Sequence, residues 1–178
     1  ESFLMQETDF DFEILIHDDA STDRTPSIIK EYELKYPDKI KVIYQKENQY
    51  SKGIKVSRLN VSRATGKYIA ICEGDDYWIS PYKLQKQVDY MENNPSCSLC
   101  VHAGQLINES KDKKVSDYTL GSKSRKFNTE EVIRGGGALF LTNSMLYRAE
   151  YKDSYPAFFE NSPVGDYPLA INLSLLGE

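Results

Sequence analysis

Three carboxylates fall within four residues at Glu73, Asp75 and Asp76, directly after the apolar run Tyr68-Ile-Ala-Ile-Cys72. The run is short and β-prone, so it reads as a buried strand. Gly74 lets the chain turn tightly among the acids. Acids crowded at a strand end repel one another and need a compensating charge. A hard divalent cation, held by one or two carboxylates and by substrate phosphates, supplies it. Two further acidic sites share this character: Asp18-Asp19 after the apolar stretch Phe12–Ile16, and Asp166 ahead of a final apolar helix. Each alone has a purely structural reading, as turn residues or as a helix cap. Spacing by itself leaves the two readings even.

The elements that must carry these acids follow from periodicity. Residues 12–16, 40–44 and 68–72 read as strands. A helix from Pro26 to Tyr36, with Thr25 as its cap, and a second from Ile54 to Ala64 lie between them. Strand, helix, strand, helix, strand is the pattern of a parallel sheet with crossover helices. Parallel strands would bring Asp18-Asp19 and the 73–76 acids to one carboxyl edge, where open α/β sheets bind ligands. Further on, Ser80-Pro81 opens a helix carrying Leu84, Val88 and Met91 on one face. Residues 99–102 read as a strand that 105–107 extend. Lys111–Lys126 reads as a mobile loop or weak hairpin. Asn128 and Glu131 have capping-box spacing. Ala138–Leu141 and Met145–Arg148 are apolar runs separated by Thr142-Asn-Ser144. Leu169, Leu173 and Leu176 give the last helix its stripe. Residues 1–10 read as a helix end and a loop, and both chain ends read as cuts in a longer protein.

Bulk properties exclude several classes. At 178 residues the chain can bury a real core. A net charge of −5 argues against a general nucleic-acid binder. No apolar run approaches the ~20 residues of a membrane span. Three cysteines, Cys72, Cys97 and Cys100, do not form a disulfide framework. Cys97-x-x-Cys100 lacks a second ligand pair beyond His17 and His102. These thiols fit a structural role in a reducing cytoplasm.

Two segments together carry a resemblance. Phe12-Glu-Ile-Leu-Ile-His-Asp-Asp-Ala-Ser-Thr-Asp23 resembles the E-I-I-V-V-D-D-G-S-T-D segment of family 2 inverting glycosyltransferases. Ala64-Thr-Gly-Lys-Tyr-Ile-Ala-Ile-Cys-Glu-Gly-Asp-Asp76 is similar to the same family's A-x-G-x-Y-I-x-x-L-D-x-D-D. The likeness extends through Asn143–Arg148 and Gly165-Asp166. Glu73 stands where the family has its first Asp, Ala20 where it has glycine, and the family's opening strand is absent.

The resemblance implies an α/β, Rossmann-like GT-A nucleotide-diphospho-sugar transferase fold, a mostly parallel sheet flanked by helices. It implies one domain, with residues 1–102 binding the nucleotide sugar and 103–178 the acceptor. Asp19, beside Asp18, would hydrogen-bond the base of a uridine nucleotide. Asp75 would coordinate Mg²⁺ or Mn²⁺ on the diphosphate, with Glu73 near the ribose or a metal-bound water, and Asp166 would be the general base. The implied partners are a UDP-sugar donor and a saccharide or lipid-linked acceptor in cell-surface polysaccharide synthesis. The implied place is the cytoplasm, including peripheral association with the inner face of the membrane. Two alternatives stand beside this reading. A nucleotidyltransferase would carry a glycine-rich basic phosphate loop, and none is visible. A degenerate glycosyltransferase domain would serve as a binding module. Lys52 and Arg58 are weaker candidates for phosphate contact, Tyr77 and Trp78 for sugar stacking, and Arg148 for pairing with a site acid.

Overall fold

The computed structural model describes residues 1–108, 110 and 113–178, and every side chain among them but that of Glu160. The expected reading of Lys111 and Asp112 therefore lies outside the described residues. The chain forms two compact units, residues 9–67 and residues 1–8 with 68–178.

In the 9–67 unit, β1 (Ile14–Asp18) and β2 (Ile40–Tyr44) pair in parallel, from Ile14 opposite Ile40 to Asp18 opposite Tyr44. Ile14 and Ile40 are buried at their starts. The crossover helix α1 (Thr25–Lys35) begins one residue earlier than its sequence suggests. Thr25 lies inside the first turn, and its N–H is taken by Asp23 Oδ1 at 2.9 Å. The cap position falls to Arg24, which makes no side-chain cap bond, and Asp23 just before it takes the first-turn N–H instead. α2 (Ser57–Arg63) is tied to β1 by polar contacts. Asn60 Nδ2 donates to Leu15 O at 3.0 Å, and Arg63 Nη2 donates to Ile16 O at 2.9 Å. Glu13 accepts from Lys41 Nζ at 2.7 Å and from the Thr65 N–H at 2.8 Å.

In the other unit, β3 (Tyr68–Ala70), β7 (Leu146–Arg148) and β4 (Leu99–Cys100) form one sheet with β7 in the middle. β7 runs antiparallel to both neighbours. The α/β class holds, but among the described residues the ladders are one parallel and three antiparallel. β7 accounts for two of the three: an apolar run encodes burial, not direction, and this one enters the sheet from the opposite end. Residues 99–107 do not make one strand. β4 stops at Cys100, and β5 (Gly104–Asn108) instead forms a hairpin with β6 (Lys113–Tyr118), bulged between Leu106 and Ile107.

Helices α3 (Lys83–Asn93), α4 (Thr129–Gly135), α5 (Ala157–Glu160) and α6 (Asp166–Leu176) complete this unit. α4 carries the expected capping box, Asn128 Oδ1 accepting from Glu131 N at 2.9 Å and Glu131 Oε2 from Asn128 N at 3.0 Å. α6 joins two core clusters. Ala170 packs with Val132, Phe140 and Met145, while Leu169 and Leu173 pack with Tyr147 and Phe159. Burying such side chains stabilises by roughly 1.5–3 kcal/mol each, so the start of α6 is firmly placed. Behind α6, Gly177 passes so close to Ser96 that a Cβ there would lie 2.6 Å from the Ser96 carbonyl oxygen.

Candidate active site

The 73–76 acids sit where the sequence puts them, just past β3. The Ile71 N–H still bonds to Met145 O at 3.1 Å, and the turn closes with Asp76 N donating to Glu73 O at 3.2 Å. Glu73 and Asp75 are exposed at this rim, and Asp76 is half-buried. Asp166 is brought to the same place by α6. Asp166 is the first residue of the helix rather than its cap, and Gly165 occupies the cap position without a side-chain bond. Its Oδ1 accepts the neighbouring Tyr167 N–H at 2.8 Å, and its Oδ2 accepts from Thr142 Oγ1 at 3.2 Å.

The electrostatics bind these residues into one group. Loss of water around Glu73 raises its pKa, and the charges of Asp76, Asp75 and Asp166 raise it further, against a hydrogen bond with Thr142 that lowers it. Asp76 is raised likewise, by desolvation and then by Asp75. Thr142 thus donates to Asp166 and lies near enough to Glu73 to lower its pKa. Sequence reasoning treated it only as a polar spacer, because nothing local marks a threonine whose partners are distant. The one available signal was a polar triplet between two apolar runs.

The acids fit a hard divalent cation by charge and by donor type. They form no ready cage: among the described residues no three His, Cys, Asp or Glu side chains converge on one point.

In the 9–67 unit, Asp18 and Asp19 end β1 as expected. Asp18 is 4% exposed, and its Oδ1 has no hydrogen-bond partner among the described residues. Asp19 accepts the Gln49 and Tyr50 N–H groups at 2.8 and 2.9 Å. Some desolvation raises the Asp19 pKa, but these two N–H bonds and the nearby His17 outweigh it and hold the carboxyl below its usual value. Ala20 follows with φ +62°, in the left-handed region.

The weaker candidates divide. Trp78 is a core residue: its Nε1 donates to Asn143 O at 2.8 Å, and Phe3 packs on its ring with centroids 4.8 Å apart. Tyr77 is 54% exposed. Lys52 pairs with Glu47. Arg148 meets no site acid; burial forces its donors onto carbonyls, Nε to Cys97 O at 2.8 Å and Nη2 to Met91 O at 2.8 Å. His102 is largely enclosed, and burial lowers its pKa.

Residues 1–153 match glycosyl transferase family 2. The chain belongs to this family. An uncharacterised Mycobacterium tuberculosis protein is 38% identical over 159 residues, covering 88% of this chain and 44% of its own length. An uncharacterised glycosyltransferase of Nostoc sp. is 31% identical over 83% of this chain and 45% of its own. An Escherichia coli relative, named UDP-Glc:alpha-D-GlcNAc-diphosphoundecaprenol beta-1,3-glucosyltransferase, is 36% identical over 49% of this chain and 33% of its own. The chain spans less than half the length of these relatives.

Proposed function

We propose that this chain contains the donor-binding and catalytic residues of an inverting glycosyltransferase that uses a UDP-sugar. The observation that carries the reading is the grouping of Asp166 with the acids of the β3 turn. An inverting displacement needs two functions at one sugar carbon: charge compensation on the departing diphosphate and a base for the incoming hydroxyl. Asp75, with Glu73 beside it, would hold Mg²⁺ or Mn²⁺, which when bound neutralises charge on the leaving group. Asp166 would accept the acceptor hydroxyl's proton as the new C–O bond forms and the bond to the diphosphate oxygen breaks. Asp19 would read the uracil edge.

The acceptor class is a saccharide or lipid-linked saccharide, as the name of the Escherichia coli relative supports. No helix among the described residues is long and apolar enough to cross a membrane. The proposed place is the cytoplasm, with peripheral contact at the inner membrane face where lipid-linked acceptors reside.

A calorimetric screen of nucleotide sugars, with and without Mn²⁺, tests the donor. UDP-sugars should bind, and more tightly with the metal. Preference for another nucleotide rejects the donor assignment. Asp166→Asn, which loses the proton acceptor, should keep UDP affinity while turnover falls at least ~10²-fold.

A further inference from the structure

We infer that Thr142 is a positioning residue: its hydroxyl holds the Asp166 carboxylate in the orientation that receives the acceptor proton. The inference rests on the reading of Asp166 as the base.

Asp166 has two oxygens with different supports. Oδ1 takes the Tyr167 N–H, a contact within its own helix end that moves with it. Oδ2 takes the Thr142 hydroxyl, a contact that reaches outside α6. That hydroxyl stands on a fixed support. Thr142–Ser144 forms a single 3-10 turn, closed by Met145 N donating to Thr142 O at 3.1 Å. Trp78 Nε1 grips the turn at Asn143 O, and Gln87 Nε2 grips it at Ser144 O, both at 2.8 Å. Ser144 and Met145 are buried. The Thr142 to Asp166 bond therefore joins two rigid bodies, the anchored turn and α6. A bond between rigid bodies fixes side-chain orientation far better than one within a flexible loop.

The residue type suits the task. Threonine is β-branched, so its χ1 is restricted and the hydroxyl direction is defined. Oγ carries one proton and two lone pairs. Its one proton goes to Asp166 or, with the hydroxyl rotated, to Glu73, so the same hydroxyl cannot donate to both carboxylates at once. This gives the competing assignment: a Thr142 that serves Glu73 would act on donor binding, whereas a Thr142 that serves Asp166 acts on the proton-transfer step.

The test compares Thr142→Val, which keeps shape but loses the hydroxyl, with Thr142→Ser, which keeps it. Both are made in the whole polypeptide and in the Asp166→Asn background. Thr142→Val should lower kcat by about 10–10²-fold with KM for the donor unchanged, the scale expected when a reacting group is misplaced by an ångström or less. Thr142→Ser should restore most of the rate. In the Asp166→Asn background Thr142→Val should add nothing, because the two residues act as a unit. If Thr142→Val proves unstable, Thr142→Ala serves the same comparison. A wild-type kcat for Thr142→Val beside an inactive Asp166→Asn overturns this inference and leaves the base assignment standing. A rise in donor KM, or losses that multiply in the double variant, assigns Thr142 to Glu73 and overturns it too. Wild-type turnover in Asp166→Asn overturns the base assignment itself.

Discussion

The Trp78 indole N–H donates to the main-chain carbonyl of Asn143 at 2.8 Å. This bond ties the segment leaving the acidic turn to the turn that carries Thr142. One side chain therefore relates the acids after β3 to the hydroxyl that meets Asp166. Trp78→Phe keeps an aromatic ring but removes the donor. A part-buried carbonyl left unpaired costs about 1–3 kcal/mol. Denaturant unfolding should show a loss of that size, and turnover should fall more than UDP affinity. A variant as stable as wild type would show that the bond does not hold the two turns together.

Asp75 is exposed at the rim of the acid group, where a metal and phosphates can reach it. Asp75→Asn keeps size and removes charge. UDP affinity with Mn²⁺ present should weaken by roughly 10²-fold, as for a weakened metal clamp worth several kcal/mol. In EDTA it should change little. Equal losses in both conditions would sink the metal role.

Ala20 sits at φ +62° where the family's pattern has glycine. The left-handed region costs a residue with a Cβ about 1–2 kcal/mol, and glycine's extra freedom in the unfolded chain offsets part of the relief. Ala20→Gly should raise stability by roughly 0.5–1 kcal/mol, read as a higher unfolding midpoint. On the proposed reading Asp19, next to this turn, meets the uracil, so Asp19→Ala should reduce discrimination between UDP and ADP, read by calorimetry. Undiminished preference would assign base selection to another residue.

Much of this was legible in the sequence because the signals are local. The apolar run 68–72 ending in acids, the Asn128–Glu131 capping box and the apolar stripe of the last helix all declare themselves within a few residues. What escaped depends on distant partners. The direction of β7 is set by its neighbours in the sheet. The break between β4 and β5 follows from Gly104–Asn108 pairing with a polar strand whose composition resembles a loop. Arg148 looked like a partner for an acid, but its fold neighbours offer carbonyls. Thr142 was unreadable because both its partners lie in other elements, so its place in the site appears only once α6 has been set against the turn before β7.

Lys83 is a cost the fold carries. It opens α3 at 6% exposure, its Nζ has no hydrogen-bond partner among the described residues, and the amine lies 3.9 Å from the centroid of the Trp78 ring. Burial pulls its pKa from 10.5 down to about 7, against smaller upward pulls from Cys72 and Cys100. The sign follows directly. From about pH 7 to pH 10.5 the unfolded chain binds a proton at this lysine that the folded chain does not, so stability rises with pH across that window. Below about pH 7 both states are charged and the folded state bears the full penalty. Lys83→Met removes the charge and keeps the length of the side chain. It should therefore stabilise most at pH 6, by roughly 2–4 kcal/mol, and its advantage should shrink as pH climbs toward 10. Denaturant unfolding of both proteins at several pH values measures the difference, and taking that difference cancels the other groups that titrate there. A gap that stays constant with pH would mean that Lys83 keeps its ordinary pKa and that its amine is hydrated in the folded protein.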